Sequence, residues 1–221
     1  MNRTAGSSEK REIGAMERYL QVAELHSSCI AGGFLRSLGT RFLSVVYRCI
    51  DEHPEAVLLT EAKDGEVVGF VAGTTGRVPL RSLLMRHPVL VLWTLAPSLL
   101  SLRTLKGIFS VAKYAGNSST GSEGWPRAEL LSIAVYPAHR GSGISERLFH
   151  DLEQAFADAQ VEQFRIVVGA SLEPALRYYA RMGCEEVGRL ELHGSAQSIV
   201  LARRLPGAHS TPNARSHIAA E

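Results

Sequence analysis

The chain has 221 residues, of which 45% are hydrophobic, enough to bury a full core in one domain with elaborations. Its 24 basic and 22 acidic side chains nearly cancel, at +2, which argues against a nucleic-acid partner. Cys29, Cys49 and Cys184 share neither a metal-ligand nor a CxxC spacing, so they read as reduced thiols of a cytoplasmic protein with no metal site.

Residues 1–12 are polar and small and lack the apolar stretch of a secretory signal, so they read as a flexible leader. A single domain is expected over 13–204, followed by a disordered tail over 205–221. A first helix is expected near 20–30, broken at Gly32-Gly33. The spacing of Leu35, Leu38, Phe42, Val45 and Val46 predicts a second helix over about 35–50. Two strands follow, "AVLLTEA" and "EVVGFVAGTT", joined by "KDGE", whose Asp-Gly pair is a hairpin signal.

A third strand is expected at 128–136 and a helix at 144–159, with Ile144, Leu148, Leu152, Ala155, Phe156 and Ala159 on one face. "QFRIVVGA" is the next strand, and "PALRYYARMG" a short helix opened by Pro174 and stopped by Gly183. "EEVGRLELHG" and "QSIVLARR" are the last two strands. The order α, α, β, β, insert, β, α, β, α, β, β implies an α/β fold, a mixed sheet with helices on both faces.

The insert, about 77–125, is apolar and basic. No acidic residue occurs from Val67 to Ser122, while Arg77, Arg81, Arg86, Arg103, Lys106 and Lys113 are basic. Its run "PVLVLWTLAPSLLSL" is too short to span a bilayer, which takes roughly 20 residues. Two readings stand: buried helices packed on the sheet, or a wall of the substrate site in peripheral contact with an anionic membrane surface.

Between the third strand and the helix after it lies "HRGSGIS". It is not a P-loop, because no lysine follows a glycine, and not a GxGxxG fingerprint, because Glu146 stands where the third glycine would be. Small residues before a helix let successive N–H groups converge on a pyrophosphate, and the helix dipole favours that charge. A glycine turn that satisfies only itself is the other reading of the loop alone.

The whole segment, Ile133-Ala134-Val135 before Pro137 and then Arg140-Gly141-Ser142-Gly143-Ile144-Ser145, resembles the acetyl-CoA-binding motif of the GNAT superfamily of N-acetyltransferases, R/Q-x-x-G-x-G/A. "ALRYYARMGC" resembles the family's A-x-x-F/Y-Y-x-x-x-G-F segment through Ala175, Tyr179 and Gly183, whereas Leu172 stands where members often carry asparagine. The resemblance covers roughly 15–76 and 126–203. It implies a GNAT-like, mostly antiparallel central sheet, with the helical insert added to the family core.

The resemblance further implies acetyl-CoA as acyl donor. The backbone N–H groups of Arg140, Gly141, Ser142, Gly143, Ile144 and Ser145 would hold its pyrophosphate. Ile133, Ala134 and Val135 would pair with the pantetheine arm, beside a gap between this strand and "QFRIVVGA". Tyr179 would protonate the leaving thiolate, since a phenol of pKa about 10 can serve a thiol of about 8–9. Glu129 would be the general base, with His193 a further candidate at the acceptor amine.

Direct attack in a ternary complex needs no cysteine nucleophile. The acid-free insert suits an anionic small-molecule amine, such as a nucleotide- or lipid-linked amino sugar, with a homodimer as a candidate assembly. The alternatives are a catalytically silent acyl-CoA-binding module and a transferase for a longer acyl chain.

Overall fold

The computed structural model describes residues 5–30, 39–76, 78, 124–192 and 196–206. Its elements follow the expected order. They are α1 (Ala5–Cys29), α2 (Thr40–Asp51), β1 (Ala56–Lys63), β2 (Glu66–Thr74), β3 (Ala128–Val135), a 3-10 turn (Pro137–His139), α3 (Ile144–Asp158), β4 (Gln163–Gly169), α4 (Glu173–Arg181), β5 (Glu185–Leu192) and β6 (Ala196–Arg204). α1 starts at Ala5, inside the segment read as a leader and well before residue 20. Leu35, Leu38, the C-terminal tail from 207 and the insert from 79 to 123 lie outside the described residues. Among the described residues, no helix is long and apolar enough to cross a membrane.

The sheet runs β1-β2-β3-β4-β6-β5, with every neighbouring pair antiparallel except β3 and β4. The β1–β2 turn puts Asp64 at φ 53 and Gly65 at φ 83, the two left-handed residues that a tight hairpin compatible with strand twist requires. β2 is buried at every position after Glu66 because helices cover both of its faces, and its sequence is accordingly an unbroken apolar run.

Two apolar layers result. α1 and α2 pack Val22, Leu25, Phe42, Leu43 and Val46 against Leu58, Phe70 and Ala72 on one face. On the other, α3 and α4 pack Ile144, Leu148, Phe149, Leu152, Phe156 and Tyr179 against Val68, Leu130, Phe164 and Ile166. Full burial of each large α3 side chain contributes roughly 1.5–3 kcal/mol, which holds this helix flat on the sheet. Phe149 is buried there although the helical spacing pointed to its neighbours, and Ala159 is exposed. Gly69 on β2 allows the close approach: a Cβ there would lie 2.8 Å from Ile144 Cγ2.

Candidate active site

β3 and β4 are joined over only three register pairs: Ala128 with Phe164, Glu129 with Arg165, and Leu130 with Ile166. Beyond them β4 stays with β6 as far as Gly169, and β3 stays with β2 as far as Val135. The two strands therefore part after Leu130, where the expected gap lies. The local cause is a bulge. Ala72 pairs with Ser132 and Gly73 with Leu130, so Leu131 is an extra residue on β3, and its side chain is 42% exposed. A bulge bends its strand and ends pairing on one side. Ile133, Ala134 and Val135 follow on this arm, whose edge towards β4 carries no ladder among the described residues.

The chain then turns through Pro137–His139 into the glycine loop. Gly141 has φ 75 and Gly143, the N-cap of α3, has φ 77, a region that strains any L side chain. The first helical bond of α3 runs from Arg147 N to Gly143 O at 3.0 Å. The N–H groups of Gly141 through Ser145 consequently donate to no backbone acceptor among the described residues. Arg140 differs from expectation: its N–H is taken by Pro137 O at 3.3 Å, and its Nε donates to Val135 O at 3.2 Å. The cradle of unpaired donors thus starts at Gly141. Arg147, which the motif reading passed over, lies across its rim. One of its guanidinium nitrogens donates to Ser142 O at 3.2 Å and the other to Glu61 Oε1 at 2.7 Å.

Tyr178 and Tyr179 divide the roles of the α4 aromatics. The Tyr178 hydroxyl donates to Ser145 O at 2.8 Å, tying α4 to the first turn of α3. Tyr179 is buried against Phe149 and Tyr178, and its hydroxyl has no hydrogen-bond partner among the described residues. No buried side-chain oxygen there is left unsatisfied, so this hydroxyl is the part of the ring that reaches solvent space. Burial pushes its pKa upward, reinforced by neighbouring Tyr178 and Cys184, and the phenol keeps its proton near neutrality.

Glu129 sits at the crotch where β3 and β4 part. Arg165, its register partner, donates to Glu129 Oε2 from Nε at 2.9 Å and from the terminal nitrogen at 2.6 Å. The sequence offered no sign of this pairing, because it depends on the register of two strands 36 residues apart. His193 lies outside the described residues. Among the described residues, no cluster of three or more His, Cys, Asp or Glu is placed to hold a metal ion.

Residues 106–184 match the model of the Acetyltransferase (GNAT) family. Among solved structures, the chain is similar to the ribosomal-protein-S18-alanine N-acetyltransferase from Escherichia coli. That likeness is at 12% identity and TM-score 0.53, over 88% of this chain and 92% of that one. An N-acetyltransferase from Staphylococcus aureus Mu50 is similar at 13% identity and TM-score 0.55, over 86% and 94%. An aminoglycoside 6'-N-acetyltransferase complexed with coenzyme A is similar at 12% identity and TM-score 0.51, over 84% and 89%. No curated protein matches the chain. The matched segment spans the parted strand, the glycine loop and α4, and over most of its length the chain shares the fold of these N-acetyltransferases.

Proposed function

We propose that the protein transfers an acetyl group from acetyl-CoA to a primary amine of a small anionic acceptor, by direct attack in a ternary complex. One observation carries this reading: a single strand leads from the parting of β3 and β4 straight into a run of unpaired N–H donors at Gly141–Ser145. Such a run at a helix N-terminus suits a pyrophosphate, and the free strand edge before it suits the amides of a pantetheine arm. The coenzyme A complex of the aminoglycoside 6'-N-acetyltransferase, which shares the fold, supports the same donor.

Tyr179 protonates the departing thiolate, and Glu129 lies within the parting of the strands on the acceptor side. An amino sugar linked to a nucleotide or lipid fits the acid-free insert, and thiols outside disulfides suit a cytoplasmic location. A longer acyl chain is the second reading. It is favoured by the exposure of Leu131 (42%) and Leu172 (50%), at the bulge and just past the end of β4.

Calorimetry with acetyl-CoA, beside a Gly143→Glu variant, tests the proposal. Micromolar binding is expected for the wild type and is lost in the variant, whose carboxylate would occupy the phosphate cradle. Absence of binding to the wild type up to millimolar donor refutes the proposal. Comparing acetyl-CoA with a long-chain acyl-CoA decides between the two readings.

A further inference from the structure

Behind the arm of β3 lies a chain of hydroxyls that neither the glycine loop nor Tyr179 uses. Ser132 is the first residue after the bulged Leu131 and is half-buried. Its Oγ lies 3.1 Å from the hydroxyl of Tyr47 on α2, and that hydroxyl lies 2.6 Å from Nδ1 of His26 on α1. Tyr47 and His26 are both buried, at 3% and 7% exposure. A phenol has one proton to donate, so a Tyr47 that accepts from Ser132 must donate to His26, leaving Nδ1 as the accepting nitrogen. Phe70 of β2 stacks on the imidazole at 6.4 Å and packs edge-on against Tyr47 at 5.1 Å, which holds both rings in place.

Three elements thus converge on one line from the parted strands to an imidazole. An unbroken apolar interior would have been the simpler way to pack α1 and α2 on the sheet, since buried polar groups are costly unless satisfied. Glu129 is already engaged on this strand, one of its oxygens accepting two hydrogen bonds from Arg165.

We propose that Ser132, Tyr47 and His26 form the relay that removes the proton from the acceptor ammonium. The inference rests on the transferase reading above. One proton passes from the ammonium nitrogen to Ser132 Oγ, the Ser132 proton passes to the Tyr47 oxygen, and the Tyr47 proton passes to His26 Nδ1. The products are a neutral amine ready to attack the thioester, an unchanged serine, an unchanged tyrosine and an imidazolium. Ser132 touches the substrate; Tyr47 and His26 act through it as positioning residues. Burial holds the Tyr47 pKa well above its ordinary value, opposed weakly by the Ser132 hydrogen bond, so the phenol passes a proton without resting as a phenolate. Among the described residues, the groups that meet the imidazole include Tyr47 from α2, Phe70 from β2 and, through Tyr47, Ser132 from β3.

The test is thiol release from acetyl-CoA, first with glucosamine 6-phosphate as an anionic amino-sugar probe and then with water alone as nucleophile. It uses the full chain and the variants Tyr47→Phe, Ser132→Ala and His26→Gln. Each variant is expected to lower kcat/KM roughly 10- to 100-fold near pH 7, as the loss of proton-transfer assistance does. The deficit should close as the pH approaches about 9, where the amine arrives already neutral, a recovery that a packing defect would not produce. Acetyl-CoA affinity by calorimetry should stay within about twofold. Tyr47→Phe protein with a lowered melting temperature but the wild-type pH profile would overturn the relay alone. Wild-type protein that binds acetyl-CoA yet releases thiol with neither nucleophile would overturn the transferase reading itself.

Discussion

Alanine at Gly69 probes whether the glycine loop is positioned by α3. A Cβ there would lie 2.8 Å from Ile144 Cγ2, 3.0 Å from Leu148 Cδ1 and 3.3 Å from Val135 Cγ2. Comfortable carbon contacts are about 3.5–4.0 Å, so the new methyl is short of room by roughly 0.5–1 Å. Ile144 is β-branched and stiff, so the strain is relieved mainly by lifting the first turn of α3. Overpacking of this kind costs about 1–3 kcal/mol, and a chain of this size loses roughly 2–4 °C of melting temperature per kcal/mol. The same lift moves the donors at Gly143–Ser145. Losing one charge-assisted hydrogen bond, about 1.5–3 kcal/mol, would weaken acetyl-CoA roughly 10- to 100-fold.

Gly73→Ala is the matched control. Its Cβ would lie 2.7 Å from Phe156 Cζ and 3.0 Å from Leu152 Cδ1, eight or more residues along the helix and so roughly 12 Å from the loop, and 3.1 Å from the Glu129 carbonyl oxygen on β3. Thermal melts should show comparable losses for the two variants, while calorimetry should show weakened binding for Gly69→Ala only. Equal affinity in the two variants, or a destabilised Gly69→Ala that binds as the wild type does, would refute the coupling of loop to helix.

Tyr179→Phe removes only the unpartnered hydroxyl, so kcat should fall by roughly 10²–10⁴-fold with acetyl-CoA affinity unchanged; a fall of less than threefold in single-turnover thiol release would rule out Tyr179 as the acid. The alkaline stability of the fold should reflect Cys184, whose pKa is pushed up to about 12 from 9.0, chiefly by burial, with Glu153 adding to the rise and Arg203 opposing it. Between those values the folded state keeps a proton that the unfolded chain releases, so stability is fully present below about pH 9 and falls as the pH climbs towards 12. The raised Tyr178 and Tyr179 act in the same direction above about pH 10. Urea midpoints measured from pH 8 to 11 should decline from about pH 9, less steeply in Cys184→Ala; a flat series would refute the assignment.

The element order was legible because it depends on local signals. Asp64-Gly65 sits in the left-handed turn its sequence announces, and Pro174 and Gly183 bracket α4 where expected. Gly141 and Gly143 both proved to need positive φ, which is why the loop could be read without an alignment. What stayed hidden depends on register and distance in sequence. The bulge at Leu131 decides where β3 leaves β4, yet nothing in "AELLSIAV" marks it. Arg165 against Glu129 and Ser132 against Tyr47 join residues 36 and 85 apart, and no local pattern around His26 marks its contact with Tyr47. The start of α1 was misjudged because small polar residues resemble a leader, although alanine, glutamate, lysine and arginine are all good helix formers.

The bulge has one consequence that joins the two halves of the proposed chemistry. Ala128 and Leu130 face the α3/α4 layer, so Glu129 points the other way, and the extra residue at 131 brings Ser132 to that same opposite side, where it meets Tyr47. Tyr179 belongs to the α3/α4 layer. In the proposed mechanism, the proton leaving the amine and the proton reaching the thiolate are therefore handled on opposite faces of one sheet, with the parted strands between them. The raised Tyr179 gives up its proton only above pH 10, beyond where the fold itself begins to weaken. The rate in the stable range should then rise with pH to a plateau with no descending limb below about pH 9. An inflection that moves in Tyr47→Phe and stays in Tyr179→Phe would locate the base on the α1/α2 face, whereas an inflection that moves only in Tyr179→Phe would place the titrating group on the other.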